Sequence, residues 1–340
     1  MNCVPCAEKS EARQTKMKEL IVNISSSNLK AESIRSGFGR GLLEAGRRDQ
    51  NVVAVTADLM GSTDIGDFAK DYPERFIEVG VAEQNLVTVG SGLAAQGKIP
   101  FVSSYAAFSP GRNWEQIRTT ICLNDRAVKI IGSHAGISVG PDGATHQMLE
   151  DITLMRSLPN MVVLAPCDSI EAEKITLAMA KDQRPNYMRL AREATPLITL
   201  PDIPFEIGKA YIFREGFDVT LIATGTMTYH ALLAAERLAR HHISAEVINA
   251  PTIKPLDAEV IIDSAKKTRA VVTVEEAQIN GGLGGAVAEV LSERCPTIMR
   301  RIGMKDHFGE SGQPEELLKH FGLDAEHIYL AAQELIDRKG

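Results

Sequence analysis

The 340-residue sequence lacks any long apolar run. No stretch approaches the roughly 18 consecutive apolar residues that a membrane helix needs. The first residues also lack the apolar centre of a secretory leader, so no membrane association is expected and the cytoplasm is the default location. Positive charge is short: 37 Lys and Arg stand against 44 Asp and Glu, for a net charge of −7, and the basic residues are scattered. That balance argues against nucleic acid as a partner. Cysteine is scarce as well; five in the whole chain fit a reducing compartment, where they need not pair. Cys3 and Cys6 form "CVPC". A redox pair of that spacing should follow a strand, and a zinc site needs a second ligand pair. Neither lies nearby, which leaves a terminal arm. Repeats and low-complexity tracts are also lacking.

What is present is ordinary globular composition, 44% apolar and 24% charged, with length for about two domains. Residues 1–30 are polar and mixed in charge, and read as an extension. Strand-like runs then alternate with helix-length segments: residues 51–59, 75–80, 99–105, 127–134, 161–166 and 186–191. Several of these runs are continuously apolar, as strands of a parallel sheet covered on both faces are. Asp168 with Glu171 three residues later resembles a capping box. Residues 193–208 hold three prolines without helical periodicity and read as a linker. A second α/β unit over 209–340 follows, with strands predicted at 218–225, 244–250, 270–276 and 297–303, and a helix framed by Pro314 and Gly322. The fold class is α/β: a domain over 31–192 and a domain over 209–340, each a mostly parallel sheet sandwiched by helices.

Three segments carry chemistry. "RFIEVGVAEQNL" (75–86) runs an apolar strand through a turn at Gly80 into Glu83, and a carboxylate at the mouth of a buried strand is costly unless something offsets it. "GISVGPDGATHQ" (136–147) follows the strand ending at His134, and places His134, Asp142 and His146 on a glycine-rich loop. Ligands of open α/β sheets bind at that strand edge. "FVSSYAAFSPGRNW" (101–114) sets Tyr105 and Phe108 beyond a strand, where a flat ring could stack on them. "GGLGGAVAE" (281–289) departs from the dinucleotide spacing and reads as close helix–strand packing.

Together "EVGVAEQN", the aromatic segment, "HAGISVGPDGATHQ" and "FGESGQPEELL" resemble the transketolase family of thiamine diphosphate enzymes, from about residue 30 onward. The resemblance covers the pyrimidine-binding and C-terminal domains. The diphosphate-binding domain, whose GDG segment would hold Mg²⁺ and the diphosphate, has no counterpart here. The resemblance therefore implies the C-terminal subunit of a split transketolase. Its partner would be an N-terminal subunit carrying the diphosphate domain and the metal ligands, in an assembly of two chains of each kind.

Residue by residue, the resemblance implies the following roles. Glu83 bonds a ring nitrogen of the cofactor's aminopyrimidine, and a carboxylate in an apolar pocket is suited to share a proton. Phe108 stacks on that ring with Tyr105 beside it, Phe101 being the alternative, and Asp58 lies near the thiamine ring. His134 and His146 stand at the reacting carbons of the sugar, and Asp142 reads the hydroxyl beside the carbonyl. Arg35, Ser62 and Arg192 bind a terminal phosphate, for which arginine's planar fork is suited. The implied reaction moves a two-carbon ketol unit from a ketose phosphate, or a related anionic ketose, to an aldose. The rivals are the beta subunit of a 2-oxo acid dehydrogenase and a deoxyxylulose-phosphate synthase-like enzyme. The former would lack the phosphate-binding arginines, and the latter normally carries its diphosphate domain in the same chain.

Overall fold

The computed structural model describes Ile24 and residues 29–339. The CVPC pair and almost all of the expected N-terminal extension lie outside the described residues. Two main sheets organise the chain. The first contains β2 (Val52–Thr56), β3 (Phe76–Glu78), β4 (Ile99–Tyr105), β5 (Lys129–Ser133), β6 (Val162–Leu164) and β7 (Asn186–Arg189). These six pair in parallel in the order β6-β7-β5-β4-β2-β3. The second contains β9 (Tyr211–Arg214), β10 (Val219–Ala223), β11 (Ala245–Asn249), β13 (Ala270–Gln278) and β14 (Ile298–Met304), ordered β14-β13-β10-β11-β9. All pairs are parallel except β9 with β11.

The continuous apolar runs form these strands because helices cover both faces: β2, β5, β6, β10 and β11 are buried at every residue. Each predicted strand is found, mostly shorter at its ends. Four strands were not predicted. β1 (Ala31–Ser33) pairs antiparallel with β8 (Ala194–Pro196), inside the segment read as a linker. β9 edges the second sheet. β12 (Thr252–Lys254) comes from the second unit yet pairs antiparallel with β6, so the first sheet has seven strands. Apolar packing crosses the same seam: Ile137, Leu149, Cys167 and Ile198 share a core cluster with Leu221, Val247 and Val272.

The predicted capping box is half formed. Asp168 accepts the Glu171 N–H at 2.8 Å, opening the helix Ser169–Lys181. Glu171 turns elsewhere and accepts from the Cys167 N–H and from Asn249 Nδ2 of the second unit, both at 2.7 Å. Asp168 also accepts Ile198 N, Thr199 N and Thr199 Oγ1 at 2.7–2.8 Å, so one carboxylate pins the chain just after β8. In "GGLGGAVAE", the helix Leu283–Arg294 is capped by the buried Glu275 carboxylate, which accepts Leu283 N at 2.7 Å and Gly284 N at 2.8 Å. A Cβ at Gly284 would meet Thr273 Oγ1 at 2.8 Å, so the glycine permits close helix–strand packing.

Burial pushes the Glu171 carboxyl up to about 7, and the neighbouring Asp168 charge adds to the shift. A carboxyl raised on folding contributes stability that is fully present below its unfolded pKa and is lost as pH rises through the folded value. Glu171→Gln removes this one titration and leaves the others in place. The stability of Glu171→Gln relative to wild type should therefore improve by roughly 1 kcal/mol or more as pH rises from about 4.5 through 7. Urea midpoints of both proteins across that range provide the check; a constant difference would contradict the assignment.

Candidate active site

After β3 the chain turns at Gly80, whose φ is +71°, and enters the helix Glu83–Ala95. Glu78 fixes this turn: its Oε1 accepts Gly80 N at 2.7 Å and Asp58 N at 2.8 Å. One carboxylate thus joins the turn to the loop after β2, where Asp58 sits at φ +60°. Glu83 is the first helical residue and is 2% exposed. Its Oε2 accepts from Arg112 Nη1 at 2.7 Å. Its other carboxylate oxygen has no hydrogen-bond partner among the described residues. Asn113 Nδ2 holds the Glu83 carbonyl at 2.7 Å and Ser109 Oγ at 3.1 Å. Arg112 also lies over the Phe108 ring, 5.0 Å from its centroid.

The rings gather beside this carboxylate. Tyr105, the last residue of β4, stacks on Phe108 at 6.0 Å and on the His134 imidazole at 4.0 Å. His146 meets Phe108 edge-on at 5.4 Å and Tyr105 at 6.4 Å. Phe101 is elsewhere: it is 1% exposed, facing Phe38 in the core, which removes it as the stacking residue. His134 follows β5 at φ +55°, a conformation that a non-glycine residue holds only when its surroundings enforce it. It is 4% exposed, and its Nδ1 lies 2.8 Å from Ser133 Oγ. Burial, reinforced by the charges of Arg35, Arg192 and His146, pushes its pKa down to about 3. The ring is therefore neutral near pH 7, with one N–H to donate and one nitrogen to accept.

The cationic residues converge from distant segments. Arg35, in the first turn of the helix Ile34–Arg48, donates to the Ser62 carbonyl at 2.7 Å and the Arg192 carbonyl at 3.0 Å. Arg192 donates to the Val139 carbonyl at 2.7 Å, and its guanidinium stands 3.7 Å from Asp142 and 3.8 Å from Glu193. The contacts thus form two linked groups after the strands of the first sheet. Glu83, Phe108, Tyr105, His134 and His146 are joined through Arg112 and ring contacts. Arg35, Ser62, Arg192 and Asp142 form the other group, whose arginine charges act on His134. Asp58 is tied by Glu78 to the turn before Glu83. Arg112, Asn113 and Glu78 were not singled out from sequence. Arg112 stands in the "SPGRNW" stretch, where the aromatics are the more evident signal. The residue set suits an aminopyrimidine: a buried carboxylate, one oxygen of which has no partner among the described residues, linked through Arg112 to the Phe108–Tyr105 ring pair. A neutral imidazole and two guanidiniums then suit a polar substrate ending in an anion.

The site and the paired sheets define a thiamine-dependent transferase chain of transketolase type. The match to the transketolase pyrimidine binding domain spans residues 30–197 and that to the transketolase C-terminal domain spans 208–328, and the chain belongs to the transketolase family. It is 47% identical to a "Putative transketolase C-terminal section" of Methanocaldococcus jannaschii, over 87% of this chain and 94% of that one. It is 44% identical to the "6-deoxy-6-sulfo-D-fructose transketolase subunit SqwH" of a Clostridium species, over 88% of this chain and 92% of that one. An apulose-4-phosphate transketolase subunit of Phocaeicola vulgatus is 39% identical, over 89% of this chain and 97% of that one. A solved "Split gene transketolase, inactive beta4 tetramer" superposes with a TM-score of 0.86 at 44% identity, over 91% of this chain and 99% of that chain. No helix among the described residues is long and apolar enough to cross a membrane.

The Glu83–Arg112 contact is testable alone. A buried carboxylate stripped of its cation loses much of what offset its desolvation, although Arg112 is half exposed and solvent replaces part of that offset. A double-mutant cycle with Glu83→Gln and Arg112→Met should give a coupling of about 1 to 2 kcal/mol by urea unfolding. Additive losses would show that the pair does not hold the carboxylate.

Proposed function

We propose that this chain is the C-terminal subunit of a heteromeric transketolase, moving a two-carbon ketol unit from an anionic ketose to an aldose. Its pyrimidine-binding domain would end at 192 and its C-terminal domain begin at 209. The observation that carries the reading is the convergence of Arg35, Ser62, Arg192 and Asp142 beside the His134–Tyr105–His146 cluster. The 2-oxo acid dehydrogenase alternative offers no use for that arginine pair. When bound, thiamine diphosphate with Mg²⁺, held through a diphosphate domain on the partner subunit, supplies the nucleophilic carbon and the electron sink.

The chain's own residues then divide the remaining work. The free oxygen of Glu83 holds a proton at the pyrimidine ring nitrogen, while Tyr105 and Phe108 hold the ring flat. Asp58 would stand near the thiamine ring. Neutral His134 donates to the substrate carbonyl oxygen, and His146 takes and returns a hydroxyl proton. Asp142 accepts from the hydroxyl beside the carbonyl. Arg35, Ser62 and Arg192 receive the terminal oxyanion. A phosphate or a sulfonate meets the same donors, and relatives named for each kind of sugar support an anionic donor of either sort. Two of these chains join two partner subunits, because a site shared between a pyrimidine domain and a diphosphate domain is duplicated by a two-fold axis. The cytoplasm is the proposed location.

The complex with its N-terminal partner provides the test. Arg192→Ala should raise the KM for phosphorylated or sulfonated donors by roughly ten- to hundredfold, with a much smaller fall in kcat. Hydroxypyruvate, which has no far anionic end, should be used nearly as before. Equal losses with both kinds of donor would instead give Arg192 a bracing role, through Val139, Asp142 and Glu193. Ketol transfer by this chain without the partner would contradict the heteromeric reading.

A further inference from the structure

Segment 136–149, which carries Asp142 and His146, has little regular structure of its own. It consists of a short helical stretch, Ile137–Asp142, broken at Gly140, and an isolated bridge between Ala135 and Met148. Buried backbone groups in such a segment need partners from elsewhere. Several come from the second unit. Glu276, near the end of β13, is 2% exposed, and its Oε1 accepts Ser138 N at 2.6 Å. Its Oε2 accepts from Thr226 Oγ1 at 3.2 Å. Gln278 N donates to the Leu149 carbonyl at 2.9 Å. Gln147 Nε2 donates to the Glu310 carbonyl at 2.8 Å while also holding the Ile137 and Gly140 carbonyls at 3.2 and 3.1 Å.

The fit at Glu276 is close. Gly136 has φ +92°, and a Cβ there would stand 2.3 Å from Glu276 Oε1, so the loop lies flush against the carboxylate. Behind it, Arg189 donates to the Glu276 carbonyl at 2.6 Å, pairs with Asp151 at 3.0 Å, and reaches the Met148 carbonyl at 3.4 Å. Tyr187 Oη donates to the same Asp151 at 2.7 Å. Asp151 begins the helix that follows the loop. The loop is thus tied at its start by a carboxylate of the second unit, and at its end by a buried guanidinium anchored on that same residue's backbone.

We infer that Glu276 is a positioning residue: through Ser138 N–H it sets the loop that presents Asp142 and His146, so the second unit controls donor geometry without touching the donor. The inference rests on the reading of segment 136–147 as donor-binding. The Ser138 N–H is neutral and cannot leave the loop, so losing its acceptor leaves a buried donor unpaired and frees the segment to move.

Two readouts test it, one of them independent of turnover. In Glu276→Ala, amide hydrogen exchange of the 136–147 peptide should speed up about tenfold or more, while peptides of β10 and of the helix Met227–Arg240 exchange as in wild type. In the complex with the N-terminal partner, donor KM should rise about tenfold with kcat changed about threefold or less. Glu276→Gln keeps an oxygen for Ser138 N–H and offers an amide to Thr226 Oγ1, so it should stay within about threefold of wild type in both readouts. Should Glu276→Ala fail to fold, Glu276→Asp keeps the charge but withdraws the oxygen, and should loosen the same peptide. Unchanged exchange of 136–147 would overturn the inference, as would a Gln variant as impaired as the Ala variant. A loosened peptide with unaltered donor KM would also overturn it, and would show that the segment does not bind donor. If the wild-type complex transfers no ketol unit, the functional reading falls, and the exchange experiment still decides whether Glu276 positions the loop.

Discussion

A carboxylate that is nearly inaccessible to solvent must be offset where it stands, and Glu83 organises its surroundings on that requirement. It opens a helix, where the dipole favours negative charge. Arg112 satisfies one oxygen, and Asn113 fastens the Glu83 carbonyl to Ser109. Glu78 fixes the turn that delivers it. The aromatic cluster then forms around the side chains that surround this corner, with Arg112 lying over Phe108. One Glu83 oxygen is left without a partner among the described residues, and the proposed cofactor chemistry depends on that oxygen.

The sequence was most informative where burial is two-sided. Short, mostly apolar runs such as Val52–Val55 and Val162–Leu164, bounded by turn residues, read as strands buried on both faces, and they are. It was least informative where three residues pair with a distant partner. Thr252–Lys254 has no periodicity to display, and its partner β6 lies far back in the chain. The glycine-rich loop, Glu83 and the histidines were legible as a candidate site because polar residues on strand ends demand a reason. Arg112 was not, because an isolated arginine looks like solvated surface until its partner 29 positions away is known. Glu276 could have been found by the reasoning applied to Glu83: the paired glutamates of "VVTVEEAQ" close an otherwise apolar strand, and neither could be buried without partners.

The seam between the units explains why the two family domains are not independent in this chain. The second unit completes the first sheet through β12, shares a core cluster with it, and supplies acceptors and donors to segment 136–149. Arg189 concentrates this dependence, since its buried guanidinium meets Asp151 and Met148 on one side and the Glu276 carbonyl on the other. Through these contacts the second unit holds the segment that carries Asp142 and His146.

The central claim is that Glu83 activates the cofactor by sharing a proton with its pyrimidine. The most direct measurement is deuterium exchange at the thiazolium carbon of thiamine diphosphate bound to the complex with the N-terminal partner, comparing wild type with Glu83→Gln. The substitution keeps the side chain's shape and removes its acid. Exchange should slow by about 10² to 10⁴, the usual worth of a general acid or base, while circular dichroism and cofactor occupancy stay as in wild type. Exchange at the wild-type rate would contradict the claim and leave Glu83 with a structural role in its pairing with Arg112.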